Sequence, residues 1–275
     1  MHVGVAMFAT DYSMHPAELA VALEERGFES YWLPEHSHIP LSRKSDFPAG
    51  GELPKKYYDV MDPFVVAGAA AAATQKLKLA TGICLVPQRD TIQTAKSVAS
   101  IDQISNGRFL FGIGSGWNAD EMENHGTDFK TRNAKMRQQI AAMRAIWTET
   151  KPEFHAEFVD FGPMMTWPKP VQNPHPPVIV GGGMPWAAKR ALDYGDGWLP
   201  HAHRPTYRLL DRLDEFRAME DKVGRTVPTS VFGVEHDPDA WAEYEEAGIE
   251  RIVLSMDSEQ ADAALPKLDA WAKRL

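Results

Sequence analysis

The chain has 275 residues, 44% hydrophobic and 24% charged, a globular composition that predicts one domain over 1-275 with a sizeable core. Its 29 basic and 38 acidic residues give a net charge of -9 with the basic ones scattered, which argues against nucleic acid or an anionic membrane surface and for a small-molecule partner. The lone Cys84 excludes a disulfide framework and a cysteine-rich zinc site. An opening stretch without signal-peptide character, and no run approaching the ~20 apolar residues of a membrane span, predict a cytoplasmic protein.

In chain order, HVGVAMFA (2-9) reads as a first strand, followed by a helix over 15-27 whose Leu19, Ala20 and Leu23 share a face and whose Gly27 can supply a left-handed C-cap. A second strand, FESYWLP (28-34), delivers Glu35, His36 and His38. An extended H-x-H pair points both imidazoles one way, which suits a metal; a histidine at a strand end equally suits proton transfer, or the three are merely polar loop residues. The connection from Glu35 to Asp62 is long enough to suspect a role. The alanine-rich helix over 62-75 is apolar nearly all round, predicting cover on two sides, by the barrel and either a second subunit or the 35-62 loop.

A third strand, 77-86, contains Gly82, a sign of a bulge or a close backbone approach, and ends at Pro87; Cys84 within it reads as a small buried hydrophobe. A fourth, 108-114, runs into GIGSGWNADE, where glycines allow close approach to a flat ligand, Trp117 can lie against it and Asn118 is expected to cap the next helical turn. From about 150 to 176 runs a proline- and aromatic-rich connection, either a surface excursion or a wall over the site. A fifth strand, 177-182, enters VGGGMPWAAKRA, where Gly181, Gly182, Gly183, Met184 and Pro185 open a helix and leave N-H groups free at its positive end, a phosphate cradle without the Walker spacing. Runs at 196-200, 229-235 and 251-256 complete eight strands separated by helical patterns, which predicts a (β/α)8 barrel; the rival doubly wound sheet lacks its glycine fingerprint after the first strand. A metal-dependent hydrolase could be assembled from His36, His38, His201, His203 and Asp257.

The ordered set WLPEHSHIP, GGELP, TGICLVPQRD, SNGRFLFGIGSGWNADEMENHG, MRAIWT, EFVDFGP, WPKPVQNPHPPVIVGGG and DGW resembles the luciferase-like monooxygenase superfamily over about residues 1-200, and within it the oxidoreductases that use coenzyme F420. The resemblance implies a TIM barrel with insertions, usually dimeric, that moves a hydride between coenzyme F420 and a small organic substrate. It implies His36 beside the reactive carbon with Glu35 orienting it or the ring, and a non-proline cis peptide between Ile83 and Cys84 pressed on the deazaflavin. It also implies Gly116, Trp117 and Asn118 along the ring and side chain, and Gly181 to Pro185 around the phosphate. Arg43, Lys44 and Arg89 are loose candidates for a substrate anchor. The alternatives are a monooxygenase using reduced FMN, the metal-dependent hydrolase, and a cofactor carrier without turnover.

Overall fold

The computed structural model describes residues 1-275, the side chain of Pro238 excepted. Eight parallel strands form the barrel: β1 (His2–Met7), β2 (Ser30–Leu33), β3 (Lys78–Thr81), β4 (Phe109–Gly114), β5 (Val178–Gly181), β6 (Gly197–Leu199), β7 (Ser230–Val234) and β8 (Arg251–Met256). Each strand pairs with its sequence neighbours, and β1 pairs with β8 along its whole length. Closure between β6 and β7 rests on two isolated bridges, Trp198 with Thr229 and His201 with Phe232. All eight predicted strands are present. Their continuous apolar runs follow from burial on both faces, by side chains inside and helices outside.

The outer layer consists of α1 (Pro16–Glu25), α2 (Pro63–Ala73), α3 (Thr91–Ser105), α4 (Arg132–Thr148), α5 (Trp186–Tyr194), α6 (Leu213–Val223), α7 (Pro238–Glu246) and α8 (Ala261–Ala272), one after each strand. In α1, Leu19, Ala20 and Leu23 are fully buried and Gly27 takes φ +84° as the sequence predicts. Helix α2 ends without a glycine. Arg108 collects the carbonyls of Ala71 and Thr74 there, and Glu24 accepts the N-H groups of Gln75, Lys76 and Leu77 that follow. Among the described residues no helix is long and apolar enough to cross a membrane.

Trp32 fills the barrel interior with Ala6, Ala80, Leu110, Ile179, Leu199 and Val253. Gly4 makes room for it, since a Cβ there would lie 2.8 Å from the Trp32 indole nitrogen. Below Trp32, at the amino ends of the strands, Arg251 is 2% exposed and donates two bonds to Glu29 at 2.7 Å and one to Ser230. Lys78 adds a further contact to Glu29 at 2.9 Å.

At the opposite end β3 is interrupted. Its ladder stops at Thr81 and resumes at Cys84, which pairs with Ile113, so Gly82 and Ile83 form the bulge. The cis peptide lies between Gly82 and Ile83, one bond earlier than the resemblance places it, because the ladder breaks directly after Thr81. Gly82 sits on Trp32, with 3.2 Å between an added Cβ and the Trp32 side chain. The Ile83 side chain turns inward between Gly114 and Gly181, where added Cβ atoms would meet it at 2.2 and 2.7 Å.

The two long connections part company. The segment 35 to 62, which contains a one-turn helix Lys56–Asp59, stays at the carboxyl end of the barrel and brings Phe47 and Tyr57 to His36. The segment 150 to 176 is no wall over the mouth. It forms a small hairpin, Phe154–His155 with Asp160–Phe161, then returns along α3, where Asp102 accepts the N-H groups of Val171 and Gln172, to enter β5 from below.

Candidate active site

His36 follows β2 and is 8% exposed. Its Nδ1 lies 2.7 Å from Oε2 of Glu121, and the other oxygen of that carboxylate accepts the N-H of Ser37 at 3.1 Å. Glu121, fully buried in the short helix Ala119–Asn124 after β4, is the orienting acid that the sequence reading assigned to Glu35. With Nδ1 engaged, Nε2 remains as the ring nitrogen available for proton exchange. Aromatic rings surround the imidazole: Tyr57 at 5.4 Å and Trp117 at 5.8 Å between centroids, with Phe47 touching both of those.

Glu35 does something else. Its Oε2 accepts the N-H of Leu85 at 2.6 Å and its Oε1 accepts Nε of Arg89 at 2.5 Å, so it holds the end of the β3 bulge in place. Arg89 also donates to Asp62 at 2.5 Å, joining the first and last residues of the 35-62 segment through one guanidinium. Burial opposes the charge of Arg89, but the two carboxylates keep its pKa raised. Arg89 is therefore committed and does not serve as a substrate anchor; Lys44 is likewise paired, with Asp120 and Glu123.

His38 belongs to a different network. Ser37 Oγ contacts His38 Nδ1 at 2.9 Å and His125 Nε2 at 2.7 Å, and Asn124 donates to His38 Nε2. Burial first and the neighbouring His38 second lower the pKa of His125. The residues of the metal reading do not converge: His203 faces Glu235 at 3.4 Å, Asp257 meets Lys56 and His201 lies edge-on to Phe232. Among the described residues no group of three or more His, Cys, Asp or Glu side chains could hold a metal ion. Cys84 is fully buried, and burial followed by the Glu35 charge raises its thiol pKa, as befits a packing residue.

Asn118 stands at the start of the helix Ala119–Asn124 but its side chain makes no capping bond. Both Oδ1 and Nδ2 are buried without a partner among the described residues, and the Nε2 of Gln88 is in the same condition. Buried amide atoms left unpaired cost ~1–3 kcal/mol each, so these groups mark a place where something polar is missing. Gly116, at φ +77°, lets the turn pass between Met122 and Gln88, 3.1 and 3.6 Å from an added Cβ.

The glycine turn after β5 is narrower than expected from sequence. Gly182 (φ +119°) gives its N-H to Leu199, and Met184 gives its own to the hydroxyl of Tyr207 at 2.9 Å, leaving those of Gly183 and Trp186 without a backbone partner among the described residues. Pro185, joined to Met184 by a cis bond, stands at the N-cap of α5. Gly183 is required because a Cβ would lie 2.5 Å from the Tyr207 hydroxyl and 3.2 Å from Nε of Arg204. Tyr207 and Arg204 come from a hairpin after β6 (His203–Arg204 with Tyr207–Arg208). Arg204 has no ion-pair partner among the described residues and its Nε is buried and unbonded, so it supplies the turn with positive charge that the sequence reading did not identify.

The model of a family described as luciferase-like monooxygenase matches residues 12–272. An uncharacterized protein of Mycobacterium tuberculosis (strain ATCC 25618 / H37Rv) is 37% identical over 288 residues, covering 100% of this chain and 99% of that protein. Among solved structures, the monooxygenase RslO1 of Streptomyces bottropensis superimposes with a TM-score of 0.80 at 20% identity, over 100% of this chain and 98% of the other. The coenzyme F420-dependent tetrahydromethanopterin reductase of Methanopyrus kandleri does so with 0.74 at 16% identity, over 100% and 99%.

Proposed function

The chain belongs to the luciferase-like monooxygenase family, and from that premise we propose that it is an oxidoreductase exchanging a hydride between coenzyme F420 and a small organic substrate at the carboxyl end of its barrel. The observation that carries this reading is His36, buried among aromatic rings, with one nitrogen held by Glu121 and the other left for the reacting molecule. Coenzyme F420, a deazaflavin, supplies two-electron hydride exchange when bound.

The residues present fit such a group. Asn118 offers an unpartnered donor and acceptor to the edge of a heterocycle, and the backbone of Gly82, Ile83 and Cys84 is the surface against which a flat ring would rest. Gly183 and the N-H of Trp186, at the positive end of α5, together with Arg204, would hold a phosphate. His36 gives or takes the substrate's proton at Nε2, while Glu121 fixes the tautomer and stabilises the charged ring. Phe47, Tyr57 and Trp117 keep water from the reacting atoms.

Fluorescence titration with coenzyme F420 and with FMN tests the assignment. Micromolar binding of coenzyme F420, with turnover reduced at least about a hundredfold in His36→Ala at unchanged cofactor affinity, is expected; absence of such binding removes it. The 29% identity over 224 residues to an FMNH2-dependent dimethylsulfone monooxygenase of Pseudomonas putida supports a second reading, a monooxygenase using reduced FMN, which the same titration with an oxygen-uptake assay would promote. The outward face of α2, where Val65 is 72% exposed beside Ala69, Ala72 and Ala73, is assigned to a homodimer contact. Light scattering that returns a monomer mass would overturn that assignment.

A further inference from the structure

Two arginines near the glycine turn have no counter-ion. Arg132 opens α4 and Arg190 lies just over one turn into α5; neither makes an ion pair among the described residues, and the Nε of each is buried and unbonded. The helices run side by side in the same direction, as neighbours in a (β/α)8 barrel must. Arg137 of α4 and Asp193 of α5 pin them together at 3.0 Å. Arg132 and Arg190 stand five and three residues before those partners, so both lie toward the amino ends of their helices, on the side of the barrel mouth. Burial, and then the neighbouring guanidinium of Arg190, lower the pKa of Arg132, while no carboxylate acts on either residue. Arg132 stacks on Phe129 at 3.6 Å, which orients it without neutralising it. Two part-buried like charges side by side are destabilising unless an anion joins them.

We propose that Arg132 and Arg190 form a second anion subsite, beside the glycine turn and separate from the phosphate position at Gly183 and Arg204, which receives the carboxylates of an acidic cofactor tail. The inference rests on the deazaflavin reading, since coenzyme F420 carries glutamate residues beyond its phosphate whereas FMN ends at the phosphate. Planar guanidiniums suit carboxylates, which they can engage through two parallel hydrogen bonds.

The test is a fluorescence titration of the full chain with coenzyme F420, with the same coenzyme lacking its glutamates, and with FMN, in the wild type and in the double variant R132Q/R190Q. The wild type is expected to bind the tailed coenzyme about tenfold more tightly than the tail-less form. The double variant should bind both equally, at the tail-less affinity, and melt at or above the wild-type temperature because a repulsive pair has been removed. Equal affinity of the wild type for the two forms overturns the subsite while leaving the deazaflavin reading standing. Failure of both forms to bind overturns that reading and the subsite's occupant together. A double variant that melts well below the wild type would show the arginines to be structural and would also overturn the proposal.

Discussion

The two ends of the barrel are built on opposite terms. At the amino ends of the strands Arg251, Glu29, Lys78, Ser30 and Ser230 satisfy one another, and the Trp32 indole donates to Ser30 at 2.8 Å. At the carboxyl ends Asn118, Gln88 and Arg204 keep buried polar atoms unbonded, and His36 is held by one nitrogen only. A closed network stabilises; an open one leaves groups free for a ligand, and this contrast supports the proposal that the carboxyl end is the working end.

Breaking the closed end should have the largest effect. Arg251→Met leaves Glu29 charged and partly buried, which is expected to cost about 3–5 kcal/mol and lower the melting temperature by on the order of 10 °C. Cofactor affinity measured well below melting should be unchanged. Calorimetry and titration on one preparation check both statements.

Acid probes the same network. Burial alone would raise the Glu29 pKa, but the bonds and charge of Arg251 bring it down from 4.5 to about 2. Its contribution is thus fully present above the unfolded value and is lost as pH falls from about 4.5 toward 2, at most about 3 kcal/mol in all. Urea unfolding across that range should show the loss in the wild type and a flatter profile in Glu29→Gln.

At the open end, Glu121→Gln should reduce turnover by about ten- to a hundredfold, because the amide can turn either its oxygen or its nitrogen to Nδ1 and no longer fixes the tautomer of His36. Turnover equal to wild type would reduce Glu121 to a packing role. Asn118→Ala sharpens the contrast most finely. Removing unpartnered buried atoms should leave stability unchanged or raised, yet weaken cofactor binding about tenfold. A marked drop in melting temperature would mean that the side chain is bonded in the free protein.

What the sequence made legible was local. The eight strands appear as apolar runs, Gly82 as a bulge and Gly181 to Pro185 as a turn opening a helix, because each depends on neighbours a few residues away. Glu121 was missed because its partner His36 is 85 residues distant and the two meet only across the register of β2, β3 and β4. An acid in the first turn of a helix already has a local explanation in the helix dipole, so nothing marked this one. The clasp of Glu35, Arg89 and Asp62 was hidden for the same reason. The direction of the 150-176 segment was legible in principle: a connection from helix to strand runs at the amino end of a barrel, and only those from strand to helix reach the mouth.

The clasp has an evolutionary side. Because Glu35 and Asp62 meet on one guanidinium, the excursion between them leaves and rejoins the barrel at a single fixed gate. Residues inside can be inserted, deleted or exchanged at the modest entropic cost of a longer loop, without disturbing the strand or the helix that flank it. Beyond His36 and Ser37, which Glu121 holds, the segment that supplies Phe47 and Tyr57 is in effect an interchangeable cartridge, and descendants of this barrel could change what they accept by rewriting that remainder alone.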